Sequence, residues 1–156
     1  MMKRTLIKFK SVKKILMIVA LIAFLSCSRD SSNRNPFLPE VSFTFEINLN
    51  LPLFSGLNTP GNAVFINNTG VGIRGVYVIN TGFGNFLAWE ASCPNQSPSS
   101  CSTLELNGTT VVCPCDEYEY SLFNGQLLTE VPEGERVFGL LNYSARALEG
   151  SVIISN

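Results

Sequence analysis

Residues Val41–Leu51 alternate without a fault: Val41, Phe43, Phe45, Ile47, Leu49 and Leu51 on one face, Ser42, Thr44, Glu46, Asn48 and Asn50 on the other. Successive side chains of a strand point to opposite faces, so this period of two predicts a half-buried β-strand and rules out an amphipathic helix. Further β-rich runs follow at short spacing: Ala63–Ile66, Gly75–Ile79, Phe86–Glu90, Thr103–Leu106, Thr109–Val112, Tyr118–Phe123, Val137–Ala147 and Gly150–Ile154. Between them sit Asn68-Thr69-Gly70, Asn80-Thr81-Gly82, Asn107-Gly108, Asn124-Gly125 and Glu149-Gly150, all residues suited to hairpin turns. Asn107-Gly108, between two alternating runs, is the strongest of these signals. No run of ten or more residues carries a clean helical period. The expected fold is all-β, a small antiparallel sandwich or barrel.

The first 26 residues read as an address instead of a fold. Met1–Lys14 carries six of the chain's 11 Lys+Arg, and Ile15–Leu25 is an unbroken apolar run of eleven. A bilayer core needs about 20 residues, so this length suits the hydrophobic part of a signal peptide. It ends in Phe24-Leu25-Ser26-Cys27, which resembles a bacterial lipobox with Cys27 as the acylated first residue of the mature protein. Ser28–Glu40 is polar with Pro36 and Pro39 and reads as a tether. The expected organisation is signal peptide over 1–26, lipidated tether over 27–40 and β domain over 41–156. The expected location is the bacterial envelope, anchored in the lipid bilayer and facing the periplasm or cell exterior.

Charge and composition exclude whole classes of function. From Ser28 onward the chain has five arginines, no lysine and all 12 acids, a net of −7. Affinity for a phosphate backbone comes from Lys and Arg displacing counterions, so nucleic-acid binding is excluded. The chain has no histidine, which removes Ser-His-Asp nucleophiles, His-ligated metals and most acid–base schemes. No catalytic residues are expected.

The chemistry-bearing residues are four cysteines within 23 residues: Cys93-Pro94-Asn95, Cys101, and Cys113-Pro114-Cys115-Asp116. Outside the cytoplasm such a group favours disulfides, while four thiolates could instead hold a metal such as zinc. Here the sequence resembles the Rieske family. That family carries C-x-H and then C-P-C-H-G-S, with one Cys and one His from each box on a 2Fe–2S cluster. Phe86–Pro94 is similar to the strand entering the first box and Thr109–Cys115 to the strand entering the second. Asn124-Gly125-Gln126-Leu127 and the closing strands are similar to the family's ending. The resemblance implies a Rieske-like domain over Val41–Asn156 with two cysteine-bearing loops. Val131-Pro132-Glu133-Gly134 falls where the family has a proline-bearing loop over the cluster, and is read as a plain turn.

The boxes depart from the family at the ligands. Asn95 and Asp116 stand where the two histidines belong, and Glu117 and Tyr118 where Gly and Ser belong. The family's Ser donates a hydrogen bond to a cluster sulfur. A retained cluster would use Cys93, Cys113 and Asp116 with Asn95, or with Cys101 or Cys115 as the further group; Asn95 brings a weak amide and Asp116 an added negative charge in place of imidazoles. The resemblance implies disulfides Cys93–Cys113 and Cys101–Cys115, with the crossed pairs as the alternative. Asp116, Glu117 and Glu119 are read as solvated acids. The expected function is a non-catalytic envelope lipoprotein whose former cluster loops form a disulfide-stapled module for an envelope partner, without a cofactor. The alternative is an electron-transfer protein with an atypically ligated 2Fe–2S cluster.

Overall fold

The computed structural model describes residues 34–156; the expected signal peptide, Cys27 and most of the expected tether lie outside them. Nine strands follow one another: β1 Thr44–Asn48, β2 Ala63–Ile66, β3 Val76–Gly82, β4 Asn85–Glu90, β5 Glu105–Asn107, β6 Thr110–Val112, β7 Glu119–Ser121, β8 Asn142–Leu148 and β9 Ser151–Ser155. They form a six-stranded sheet in the order β1-β9-β8-β4-β3-β2 and a three-stranded sheet in the order β5-β6-β7. All pairings are antiparallel. The domain is all-β, with the cysteine-bearing loops between β4 and β5 and between β6 and β7.

β3 explains why two cores exist. Val76, Tyr77, Val78 and Ile79 are all buried, as expected for a continuous apolar run covered on both faces. Val76 and Val78 join Ile47, Ile66, Ala88, Tyr143, Val152 and Ile154 in one core, which the large sheet curls around. Tyr77 and Ile79 face the other way, onto Trp89, Leu104, Val111, Tyr120 and Leu122, where the small sheet docks. Two aromatic tips stitch the sheets together: the Tyr77 hydroxyl donates to the Leu104 carbonyl at 2.7 Å and the Trp89 indole N–H to the Leu122 carbonyl at 2.7 Å. Buried Tyr and Trp need such partners.

The sequence reading needs correction at several boundaries. The alternating stretch predicted as one strand to Leu51 is paired only as far as Asn48, and Leu51 is half exposed. The Asn48 side chain accepts the Asn50 N–H, and Pro52 then opens a seven-residue 3₁₀ helix, Pro52–Asn58, that buries Phe54 and Leu57. Proline has no N–H for a ladder but suits the first turn of a helix. The turn expected at Asn80-Thr81-Gly82 lies two residues later, at Phe83-Gly84, with φ of 53° and 75°. Asn80 stays in β3, where its amide donates to the Leu57 carbonyl and accepts the Gly82 N–H at a bulge. The β5–β6 hairpin is present, but its two loop residues are Gly108-Thr109, with Asn107 paired to Thr110. Residues 35–40, read as the end of the tether, belong to the compact unit Asn35–Asn156. Leu38 is buried and the Asn35 amide donates to the Pro94 carbonyl.

Candidate functional site

The first cysteine loop leaves β4 as a closed ladder. The Ala91 N–H donates to the Gly75 carbonyl, Leu104 N–H to Ala91 and Cys93 N–H to Ser102, with a bridge between Ser92 and Thr103. Between these rails the loop runs from Cys93 to Cys101. The second loop is tighter, with Cys113 N–H donating to the Tyr118 carbonyl and Glu117 N–H to the Cys113 carbonyl, both at 2.9 Å. Glu117 therefore sits at φ 59°, a left-handed conformation that costs an L-residue about 1–2 kcal/mol and glycine nothing.

Two disulfides join the loops. Cys93 bonds Cys113 with a Cα–Cα distance of 5.6 Å, and Cys101 bonds Cys115 with 5.3 Å. Both lie in the 4.4–6.8 Å window of ordinary cystines. They close loops of 20 and 14 residues in sequence separation, and each such closure stabilises by about 3 kcal/mol in the chain-entropy account. Cys93 and Cys113 are fully buried in the second core, whereas Cys101 is exposed. Three of the four sulfurs are close together: Sγ of Cys93, Cys113 and Cys115 all lie within 4.8 Å of one another.

Asn95 lies two residues after Cys93, and every arm of its amide is engaged. Its Oδ1 accepts the Phe138 N–H at 2.7 Å, while its Nδ2 donates to the Phe138 carbonyl at 3.2 Å and to the Tyr120 hydroxyl at 2.8 Å. The side chain pairs with a peptide unit as a strand would. It clamps the segment after Val131-Pro132-Glu133-Gly134, which does contain a turn (Glu135 N–H to Pro132 carbonyl). Burial raises the Tyr120 phenol pKa, which the Asn95 contact partly opposes, so Tyr120 stays a neutral hydroxyl. Phe138 also carries Phe37 edge-on and Arg136 over its ring at 5.1 Å.

The acids do not converge. Asp116 Oδ1 accepts the Tyr118 N–H two residues on, Tyr118 reaches Glu135, and Glu119 turns to the Thr110 hydroxyl at 2.5 Å. Among the described residues only Cys93, Cys113 and Cys115 bring three metal-ligating atoms together. A 2Fe–2S cluster does not fit the donors as they are placed. The two sulfurs it would need are bonded to each other, Asn95 is spent on Phe138 and Tyr120, and Asp116 caps its own turn.

One polar centre escaped the sequence reading. Glu90 is fully buried and accepts five hydrogen bonds. Its Oε1 takes the Arg74 and Ser92 N–H groups and the Ser92 hydroxyl at 2.8–2.9 Å. Its Oε2 takes the Ile73 N–H and the Tyr143 hydroxyl, each at 2.7 Å. Burial, and then the carboxylate beside it, push the Tyr143 phenol well above its usual range. All five partners are donors, so Glu90 is a structural anion that ties the Ile73–Arg74 turn to the base of the first cysteine loop.

No protein-family model matches the chain and no curated protein matches it. Among solved structures, it is similar to a chain of the complex of reduced oxygenase and oxidized ferredoxin in carbazole 1,9a-dioxygenase. That likeness has 22% identity over 62% of this chain and 82% of the other, at a TM-score of 0.42. It is also similar to a protein assigned as the small subunit of an NADH-dependent nitrite reductase from Mycobacterium tuberculosis, with 16% identity, 75% and 97% coverage and a TM-score of 0.44. A third likeness is to a protein assigned as an NADPH nitrite reductase small subunit, with 17% identity, 70% and 97% coverage and a TM-score of 0.40.

Proposed function

We propose that this chain is a lipid-anchored extracytoplasmic protein, tethered through Cys27, whose Rieske-like domain is a non-catalytic binding or structural module. The observation that carries the reading is the state of the four positions that would ligate a cluster: Cys93 and Cys113 are bonded to each other, Asn95 is locked to Phe138 and Tyr120, and Asp116 holds its own turn. The absence of histidine supports it from the sequence side. In this reading the two loops, joined by two covalent staples, present a rigid knuckle to an envelope partner. Rigidity favours binding because less conformational freedom is lost on association. The envelope location agrees with the use of cystines, which persist in oxidising compartments.

The test is to produce the full chain and a Cys27→Ser variant in a bacterium supplied with iron, and to compare their fractionation, colour and iron content. The reading expects the parent protein in membranes, the variant released from them, and both colourless without stoichiometric iron. A coloured protein with about two irons per chain would replace it with the electron-transfer reading. A Cys27→Ser variant that stays with the membrane would refute the lipid anchor.

A further inference from the structure

Two cystines of opposite exposure sit side by side. Cys101 is exposed and Cys115 half-buried, so an external thiolate can reach that bond. Cys93 and Cys113 are sealed in the core, so no external thiolate reaches theirs. Cys115 belongs to both settings: it is bonded to Cys101, yet its Sγ lies within 4.8 Å of both buried sulfurs. We infer that the two cystines work in series as a thiol–disulfide exchange site, with Cys101 as entry and Cys115 as carrier, for a protein or small-molecule dithiol. The inference rests on the cystine reading of the site proposed above.

The exchange balances as follows. One thiolate of the dithiol bonds Cys101 Sγ, and the electron pair of the Cys101–Cys115 bond leaves on Cys115. The Ser99 hydroxyl, 3.5 Å from Cys101 Sγ and 3.8 Å from Cys115 Sγ, is placed to donate to the thiolate so formed. Cys115 then attacks Cys93, forming Cys93–Cys115 and releasing Cys113 as thiolate, which takes a proton from water. Attack on Cys93 is favoured over attack on Cys113 for two reasons. A Cys113–Cys115 bond would close a ring across one proline, a geometry cystines avoid. Leaving-group stabilisation also governs exchange, and the Gln96 amide already donates to Cys113 Sγ at 3.2 Å. Finally the second thiol of the dithiol displaces Cys101, which takes up a proton as the dithiol becomes a disulfide. Overall one dithiol is oxidised, and the chain keeps one disulfide, Cys93–Cys115, with thiols at Cys101 and Cys113. Two electrons and two protons have entered at the surface, and one of the new thiols lies in the core.

The experiment uses the purified full chain, treated with dithiothreitol under native conditions, quenched in acid, alkylated and mapped by peptide mass spectrometry. The inference expects Cys101 and Cys113 to be labelled together, with a Cys93–Cys115 linkage. In Cys101→Ser, where Cys115 starts as a free thiol, the same linkage forms without reductant and the label appears on Cys113. In the Cys101→Ser, Cys115→Ser double variant, the buried cystine is reduced roughly tenfold or more slowly than in the parent. A folded double variant that loses Cys93–Cys113 at the parental rate would overturn the inference, as would a Cys101→Ser protein labelled only at Cys115. Should the double variant not fold, the single variant decides. A parent protein without cystines would refute the underlying reading, whereas intact cystines that never form Cys93–Cys115 would refute only the relay.

Discussion

Replacing Glu90 with glutamine changes one atom at the most demanding polar site in the domain. The carboxylate is fully buried and faces donors alone: three on Oε1 and two on Oε2. The new amide group cannot sit at the Oε1 position without opposing two fixed backbone donors, Arg74 and Ser92. At the Oε2 position it opposes one, Ile73, while the Tyr143 hydroxyl can rotate to accept. The cheaper orientation thus leaves one buried N–H unpaired, at about 1–3 kcal/mol. The remaining bonds lose their charge assistance, about 1 kcal/mol more, since bonds to charged groups exceed neutral ones by roughly that amount. Burying a neutral group in place of a charge offsets part of this. The balance is a loss of about 1–3 kcal/mol, or roughly 5–10 °C in Tm for a domain of this size. Glu90→Met leaves all five donors without an acceptor and costs more than Glu90→Gln. Urea denaturation of the three proteins under non-reducing conditions measures both differences. A Glu90→Gln protein within about 0.5 kcal/mol of the parent, the range of an ordinary surface substitution, or a Met variant more stable than the Gln variant, would refute the argument.

Other sites give equally definite outcomes. A Cβ at Gly125, which sits at φ 71°, would lie 2.5–2.6 Å from the Trp89 ring, so Gly125→Ala should cost about 3 kcal/mol or more by overpacking and strain together; calorimetry and the shift of tryptophan fluorescence measure this. Glu117→Gly removes the left-handed penalty of about 1–2 kcal/mol and adds about 0.4–1 kcal/mol of unfolded-state entropy, so the variant should gain stability by roughly 0.5–1 kcal/mol in urea. Burial raises the phenols of Tyr77 (to about 12, with Glu105 adding), Tyr120 and Tyr143 in the folded state. Their contribution is fully present below the unfolded value near 10 and is lost as pH rises from there. Three such groups steepen the loss to as much as about 4 kcal/mol per pH unit, which rapid pH-jump unfolding followed by tyrosinate absorbance would detect; a flat profile from pH 9 to 11 contradicts it.

The strands were the most legible part of this chain, because half-burial imposes a period of two and glycine marks the turns. β2 is found at Ala63–Ile66, as the pattern predicts. Boundaries failed where a side chain competed with the ladder. Asn80 uses its amide to hold a bulge and pushes the turn on to Phe83-Gly84, and Asn48 with Pro52 converts the end of an ideal alternation into a 3₁₀ helix. Such exchanges depend on partners distant in sequence, here Leu57 for Asn80. Asn95 and Asp116 could be singled out from the cysteine motif, but the clamp of Asn95 on Phe138 spans 43 residues and leaves no local trace. Glu90 did leave a signal: an acid in β4, a strand with apolar residues on both faces (Leu87 and Trp89, Ala88), must be satisfied within the protein. Two of its donors, the Ile73 and Arg74 N–H groups, lie on a Gly-Ile-Arg-Gly turn whose Gly72 would bring a Cβ to 2.8 Å from Glu90 Oε2.

The central claim is that the sulfurs of Cys93 and Cys113 bond each other instead of iron. Native mass spectrometry of the full chain, purified without reductant, tests it directly. The account predicts a polypeptide mass four hydrogens below that of the fully reduced chain, with peptides linking Cys93 to Cys113 and Cys101 to Cys115. A mass raised by two irons and two sulfides, lost on acidification, would contradict it and make Asn95 and Asp116 ligands after all.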